Sequence, residues 1–590
     1  MLDLGKIPSL GEALRDATIS FKSRTALIES DRHRETGRWT YAELRDQAAA
    51  FGGALQSLGF AAGDRCAILM QNQAKWLIGA TAALWAGATL VPLDYKLTAP
   101  EQHALITHAK PRVLLTEWPT WEKLSREPGH AFETVLVVVT EAPPDARLGR
   151  ARRYEDLTGK PLTFAPRARE DVACIVYSSG TGGTPKGCML THANYLAQAE
   201  VLGRLYPMLD GDRFFSVLPT NHAIDFMCGF LIPFMMGGTV VHQRTLRPAY
   251  LGATMERYGI THIALVPTIL KNLEKKIRDR LDDLPKWQRL LVDQLIDVNE
   301  FATRKAPDHR LSSKLLRPLH APFGGKLRLI FCGGAFVERQ CAEFFNKIGL
   351  PVAIGYGLTE AGTVLTVNDL KPFRGDSVGK PVDGVQIELR DRNEHDVGEV
   401  WVRGPTVMRG YLDAPELTAE ALVDGWLRTG DLGVIDAAGH LKLVGRAKNM
   451  IVTEGGKNVY PEDIETAFTD LADCEECCVY AVSYLWPTGA LGDERLVLVV
   501  RPKSSTSRKK DDDDDDDADA DLAQPNDAAR LTRLLDELQT RNRRLADYKR
   551  LAGVVVWDRE FPRTASQKLK REPLARELRA RIDRGAIREL

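Results

Sequence analysis

Apolar runs that alternate with helical patterns predict an α/β protein whose sheets are mostly parallel, with helices on both faces. The runs at 65–70, 113–115, 135–139, 172–177, 239–242, 262–267 and 327–332 read as buried strands. Length is the second observation. A chain of 590 residues exceeds what one core can hold, so the large N-terminal part is expected to contain two such α/β subdomains. The third is a change of texture after Gly375. Runs at 385–389, 398–403 and 440–444 lie between Gly- and Asp-rich turns and predict a β-rich subdomain. A further shift after Arg446 opens a smaller α+β unit. The expected division is 1–446 and 447–590.

Taken in order, the first residues carry no basic-then-apolar leader pattern, which points to a cytoplasmic protein. Residues 76–93 are the longest apolar run and approach the length of a membrane span. Gly79, Gly87 and Pro92 interrupt it, so it reads as a helix over 76–86, a turn at Gly87 and a strand over 88–93. No transmembrane segment is expected, and contact with a membrane surface stays open.

The strand at 172–177 leads into Tyr177-Ser178-Ser179-Gly180-Thr181-Gly182-Gly183-Thr184-Pro185-Lys186-Gly187. Glycines let backbone N–H groups turn toward an anion, while hydroxyls and a lysine add donors and charge. Ser178, Ser179, Gly180, Thr181, Gly183, Thr184 and Lys186 therefore form a candidate polyphosphate cradle. The loop is not a Walker A motif, because Lys186 lies between Pro185 and Gly187. Read alone, its competing reading is a flexible surface loop. Thr191 is the expected N-cap of a following helix.

Residues 271–325 form a long, charged, helical insertion. The turn Asp436-Ala437-Ala438-Gly439 reads as a hairpin. Cys474-Glu475-Glu476-Cys477-Cys478 hints at metal-ligand spacing. No cysteine follows Cys478 and no histidine follows His440, so strand packing is the better reading. Residues 511–517 are seven consecutive aspartates, and self-repulsion predicts a disordered loop there.

Composition narrows the classes. The net charge of -1 offers no field for nucleic acid. The nine cysteines lie mostly in apolar runs, which suits buried free thiols in a reducing compartment.

Five further segments carry chemistry. They are Gly333-Gly334-Ala335, Gly355-Tyr356-Gly357-Leu358-Thr359-Glu360, Gly425-Trp426-Leu427-Arg428-Thr429-Gly430-Asp431, Gly445-Arg446-Ala447-Lys448-Asn449 and Pro562-Arg563-Thr564-Ala565-Ser566-Gln567-Lys568. With the loop at 177–187, in this order and rough spacing, they resemble the ANL superfamily of adenylate-forming enzymes over nearly the whole chain.

That resemblance implies ATP, Mg²⁺ and CoA as ligands, and a carboxylic acid as substrate. It implies that Thr181, Thr184 and Lys186 hold the β- and γ-phosphates, that Thr359 touches the α-phosphate and that Glu360 ligates Mg²⁺. Tyr356 would lie against adenine, with Gly334 and Ala335 on its other side and Gly333 and Gly357 in the flanking turns. Asp431 would accept the ribose hydroxyls, with Arg446 nearby. Lys568 would bridge the attacking carboxylate and the α-phosphate, offsetting their repulsion. Lys448 would be the hinge about which a mobile C-terminal domain rotates, bringing Gly455 and Gly456 to the thiol. Two positions depart from the family pattern: Gly182 replaces a hydroxyl residue, and Gln567 replaces a glycine before the lysine.

His222 resembles the gate beside the acyl pocket of acyl-CoA synthetases. Asp225, three residues on, is poorly placed to bind an α-amino group. Phe226, Met227, Phe230, Leu231, Ile232, Phe234, Met235 and Met236 fit an acyl tunnel or a core equally well. The insertion and Glu454-Gly455-Gly456-Lys457-Asn458 resemble long-chain fatty acyl-CoA synthetases, so a medium- or long-chain fatty acid and CoA are expected. The alternatives are an aryl or other carboxylic acid, and an acyl carrier protein as acceptor.

Overall fold

The computed structural model describes residues 3–128, 132–178, 186–245, 247–452, 458–468, 471–486, 495–503, 525–564 and 569–590. Two large sheets dominate the N-terminal part. Among the described residues, the first runs Gly410–Tyr411, Lys186–Thr191, Val172–Ser178, Thr89–Pro92, Arg65–Leu69, Val113–Glu117, Leu136–Thr140, Arg152–Arg153. Its strands from Val172–Ser178 through Arg152–Arg153 pair in parallel. The second sheet has a parallel centre of Val352–Tyr356, Leu329–Gly333, His262–Leu265, Arg213–Ser216, Thr239–Gln243 and Thr25–Asp31, with antiparallel strands at both edges. The expected pair of α/β subdomains is therefore present.

Local sequence explains the connections. The apolar run at 76–93 is a helix, Ala74–Trp85, then Gly87 at φ +75°, then the strand Thr89–Pro92. A side chain at Gly87 would be strained in that left-handed conformation and would press against Ala165 and Ala62. Helix His192–Leu205 starts where expected. Thr191 and Asn194 form a reciprocal cap, each side chain accepting from the other's backbone N–H.

One expectation needs correction. The loop after Ser178 does not run from strand directly to helix. Lys186–Thr191 is itself a strand, antiparallel to Val172–Ser178, with Ser178 opposite Lys186. The strands that flank residues 179–185 thus pair as the two arms of a hairpin. Cys188 and Leu190 fill buried positions on the second strand, and Met189 packs against the core.

The β-rich part is a separate antiparallel sheet of Gln386–Arg390, Gly398–Arg403, Trp426–Ile435, Leu422–Val423 and Leu441–Arg446, with the expected turn at 436–439. Beyond it, Cys474–Ala481, Leu496–Pro502, Leu551–Val556 and Arg588–Glu589 make a further sheet packed by helices Pro525–Asn542 and Arg571–Arg581. Cys474 and Cys478 are buried in the two cores of that unit, in accord with strand packing. All nine cysteines are free thiols. Among the described residues, the hydrophobic clusters stop at Leu443 on one side and resume at Ile451 on the other, and none spans the junction. The aspartate run at 511–517 lies outside the described residues.

The insertion is helical as expected: Pro267–Asp282, Lys286–Thr303, His309–Leu315 and Arg317–His320. No helix among the described residues is long and apolar enough to cross a membrane.

Candidate active site

A single cleft of about 2960 Å³ gathers most of the motif residues. It is lined by Ser178, His222, Gly333, Gly334, Ala335, Tyr356, Gly357, Thr359, Asp431, Arg446 and Lys448 from the N-terminal sheets and the junction. Pro562, Arg563, Thr564 and Lys570 face it from the C-terminal unit. Typical small-molecule pockets hold roughly 300–1,000 Å³, so this cleft has room for more than one ligand.

The glycines here have steric reasons. A Cβ at Gly333 would stand 2.7 Å from the Gly355 carbonyl oxygen, and one at Gly357 would overlap the Thr363 carbonyl oxygen at 1.7 Å. Gly334 adopts φ +82°. The strands therefore run close together, and their ends open at the cleft, as ligand sites of parallel sheets do.

Tyr356 ends its strand and is 7% exposed. Its hydroxyl donates to Asp431 Oδ2 at 2.7 Å. Asp431 Oδ1 pairs with Arg446 Nε at 2.6 Å, across a register in which these two residues are strand partners. Burial and the Asp431 charge hold the Tyr356 phenol well above its ordinary range, so it stays a donor. An ionised carboxylate has about four lone-pair sites. Asp431 can therefore be oriented by Tyr356 and Arg446 and still accept from a ligand.

Thr359 and Glu360 lie on a short 3-10 turn, Thr359–Ala361, closed by Gly362 at φ +71°. Tyr411 donates its hydroxyl to Glu360 Oε1 at 3.1 Å. Lys186 Nζ lies 5.6 Å from the centroid of the Tyr411 ring. Tyr411 thus ties Glu360 to the base of the hairpin, a role no motif announced. Its strand, Gly410–Tyr411, adds to the edge of the first sheet through Cys188, a partnership visible only in the folded chain. Glu360 offers hard carboxylate oxygens that suit Mg²⁺. Among the described residues no three His, Cys, Asp or Glu side chains cluster as a metal site. A magnesium ion held here would accordingly share Glu360 with phosphate oxygens and water.

Lys448 sits on the turn Ala447–Asn449 at the junction. Burial lowers the pKa of its ammonium, and the charges of Arg446 and Lys186 lower it further. Ser179, Gly180, Thr181, Gly183 and Thr184, with the departure Gly182, lie outside the described residues, as do Gly455, Gly456, Gln567 and Lys568. Their flanks are described. Ile451–Val452 pairs with Asn458–Val459 on either side of the Gly455 segment. Arg563 bridges Leu569, and Lys570 N donates to Pro562 O at 2.7 Å, closing the base of the segment that carries Lys568.

His222 N-caps a short turn and reaches Asp94 Oδ2 at 3.8 Å from its Nε2. Asn72 anchors the stretch that leads to His222. It accepts from Thr220 N at 2.8 Å and donates to the Leu218 carbonyl at 2.7 Å. Asp225 is fully buried, accepts from Ser216 and Thr220 hydroxyls at 2.8 and 2.9 Å, and does not line the cleft. It has no part in binding an amino group. Burial raises its pKa to about 7.

The apolar segment after Asp225 is mostly core. Phe226, Phe230 and Phe234 pack edge-to-face or tilted in a row against Trp76 and Tyr41, and only Cys228, Ile232 and Pro233 of that stretch reach the cleft. The apolar floor comes instead from Leu202, Tyr206, Phe214, Ile232, Phe331 and Val364. His262 lies beyond, stacked on Phe331 at 6.3 Å and 19°. Burial and Arg328 lower its pKa to about 3, so it is a neutral ring there.

Strand ends that open on a cleft lined by Gly334, Thr359 and a tyrosine–aspartate pair, with Glu360 next to Thr359 and joined through Tyr411 to the strand of Lys186, and with a second unit facing the cleft, fit an adenylate-forming enzyme. The chain belongs to the AMP-binding enzyme family of the ANL superfamily, whose profile matches residues 15–412. It is 30% identical over 450 residues to long-chain-fatty-acid–CoA ligase FadD15 of Mycobacterium bovis, covering 73% of each chain. It is also 30% identical over 520 residues to a 3-[(3aS,4S,7aS)-7a-methyl-1,5-dioxo-octahydro-1H-inden-4-yl]propanoyl:CoA ligase of Mycobacterium tuberculosis, covering 85% of this chain and 90% of that one. In fold it resembles the o-succinylbenzoate coenzyme A synthetase of Bacillus subtilis solved with AMP, at 22% identity and a TM-score of 0.71 over 99% of both chains.

Proposed function

We propose that this protein is an acid–thiol ligase that activates a medium- or long-chain fatty acid with ATP and passes the acyl group to CoA. The reading is carried by one observation. The cleft that holds the nucleotide motifs continues without a break into an apolar floor at Leu202, Phe214, Ile232 and Phe331. An acyl chain lying there would place its carboxylate beside His222 and Thr359.

In the first step the carboxylate attacks the α-phosphorus and pyrophosphate leaves. Thr181, Thr184 and Lys186 hold the leaving phosphates, Thr359 the α-phosphate, and Tyr356, Gly334 and Ala335 the adenine. Asp431, fixed by Tyr356 and Arg446, takes the ribose. Lys568 neutralises the approach of two like charges. In the second step the unit from residue 447 onward turns about Lys448. Gly455 and Gly456 then face the thiol, which attacks the acyl carbon and releases AMP. The absence of any hydrophobic cluster across the junction, among the described residues, supports the division at 446/447. The free thiols support a reducing, cytoplasmic setting.

One observation favours a second reading. Phe214, Phe331 and His262 stack with interplanar angles of 26° and 19°, surfaces that also suit a ring-bearing acid. A pyrophosphate-release screen over fatty acids of graded length and aryl acids, with CoA or a carrier protein as acceptor, separates these. Lys568→Ala should abolish acid-dependent pyrophosphate release yet leave thioester formation from supplied acyl-adenylate. Equal loss of both steps would contradict the two-conformation mechanism, and silence across the acid panel would end the ligase reading.

A further inference from the structure

Helix Lys286–Thr303 is apolar on both faces. One face packs inward, with Val292, Leu295 and Ile296 against the core of the second sheet. Asn299 and Thr303 on that same side are buried. The opposite face is bare. Trp287 is 67% exposed, Leu290 61%, Leu291 50%, Val298 56% and Phe301 66%. Their spacing of three, four and seven residues puts them on one stripe. At 1.5 Å per residue the stripe is roughly 21 Å long. Most of the large apolar side chains exposed elsewhere, such as Ile19, Phe336 and Tyr484, stand far apart in sequence, so this ridge is unlike the rest of the surface.

Charge surrounds the ridge asymmetrically. Arg304, Lys305, Arg310, Lys314 and Arg317 are exposed just past its C-terminal end, with Asp308 as the acidic residue among them. Lys286 opens the helix, also exposed, with exposed Asp282, paired to Arg289, and Asp283 just before it. The helix's own acids are largely committed: Asp293 to Arg289 and Glu300 to Lys347, leaving Asp297 at the edge of the stripe. Arg304 lies over the Phe301 ring at 4.3 Å, and Leu311 is exposed between Arg310 and Lys314.

We propose that this ridge rests on the surface of an anionic lipid bilayer, with the helix axis in the membrane plane. Three features select that occupant. Aromatic and aliphatic side chains on a convex ridge, flanked by basic residues, match the acyl boundary and the charged headgroups of such a surface. The ridge is a strip one helix wide, not the broad patch of roughly 20–30 residues a side that a stable protein dimer buries. It is also a single convex helix, which a deformable lipid surface accommodates without a complementary groove. The inference does not depend on which acid the enzyme activates, because binding is read without substrate.

The test is co-sedimentation of the full-length protein with unilamellar vesicles, either phosphatidylcholine alone or phosphatidylcholine mixed with phosphatidylglycerol. The wild type should pellet with the mixed vesicles, much less with phosphatidylcholine alone, and less at high salt. Trp287→Gln combined with Leu291→Gln and Phe301→Gln should lower the vesicle-bound to free ratio about tenfold or more. Lys305→Glu with Arg310→Glu should remove the preference for phosphatidylglycerol. Unchanged thermal unfolding and pyrophosphate release with a water-soluble short-chain acid would show both variants folded. Three results would overturn the proposal: no binding of the wild type to mixed vesicles, equal binding of the apolar variant, or a fall from oligomer to monomer in that variant, which would assign the ridge to a second copy of the chain.

Discussion

Asp225 shows how far a residue's neighbourhood can pull it from its solution behaviour. Its carboxyl is enclosed with the Ser216 and Thr220 hydroxyls for partners, and burial raises its pKa from 3.8 to about 7. The folded state therefore keeps a proton that the unfolded chain gives up near pH 4. Stability from this group is complete below that value and falls as pH rises toward 7. The shift corresponds to on the order of 4 kcal/mol. Asp225→Asn removes the titration, so its stability relative to wild type should rise between pH 4 and pH 8. Urea unfolding at a series of pH values measures this, and parallel curves for the two proteins would refute it. Tyr411 and Asn72 matter for a different reason. Neither lies in a recognisable motif, yet one holds Glu360 and the other holds the Leu218–Thr220 stretch that leads to His222. A hydroxyl or an amide is legible as functional only when its partner is known.

Glu476 plays the corresponding part for a whole segment. It sits on strand Cys474–Ala481 and its side chain is 9% exposed. Arg501 Nε approaches one oxygen at 2.6 Å, Arg563 Nη2 the other at 2.7 Å, and the Phe561 backbone N–H donates at 3.1 Å. These bonds seat the base of the segment that leads to Lys568. Glu476→Ala would take this carboxylate from two guanidinium groups, of which Arg563 is partly exposed and Arg501 still pairs with Glu475, at a cost of about 1–3 kcal/mol. On the proposed role of Lys568, adenylation kcat should fall about tenfold or more while KM for ATP changes little, because Glu476 bonds Phe561 and Arg563 and not the residues proposed for the nucleotide. A pre-steady-state pyrophosphate assay distinguishes the two constants. A rise in KM alone would mean that Glu476 supports the nucleotide wall and not the lysine segment.

The molecule as a whole is two separately cored bodies facing one cleft. Each body has its own hydrophobic clusters among the described residues, none of them crosses the boundary, and Arg446, Lys448, Asn449 and Glu462 lie along it. A boundary of this kind suits relative motion, because no continuous core must be broken when one body turns. The piece 1–446 should thus fold and bind ATP, with stabilisation of about 2.7 kcal/mol when ATP is at 100 times its Kd. It should release no acid-dependent pyrophosphate, since the segment with Lys568 is gone. Thermal unfolding with and without ATP, beside the pyrophosphate assay, checks both halves of the prediction. Full-rate adenylation by that piece would show that the second body supplies nothing to the first step.

Local chemistry carried much of this from residue order alone. Strand periodicity, glycine at a turn needing positive φ, and the Thr191 cap each depend on neighbours within a few positions, so the α/β class, the texture change after Gly375 and the start of helix His192–Leu205 were readable in the linear chain. The six ordered motifs pointed to the family for the same reason, since each packs its chemistry into a few consecutive residues. Contacts between distant positions were not readable. The antiparallel return of Lys186–Thr191, the join of Tyr411 to Glu360 and the replacement of Phe226, Phe230 and Phe234 by Leu202, Phe214 and Phe331 as cleft floor all follow from how separate elements pack. An apolar residue has the same reason to be buried in a core as beside an acyl chain, and only the placement of the surrounding sheets and helices distinguishes the two.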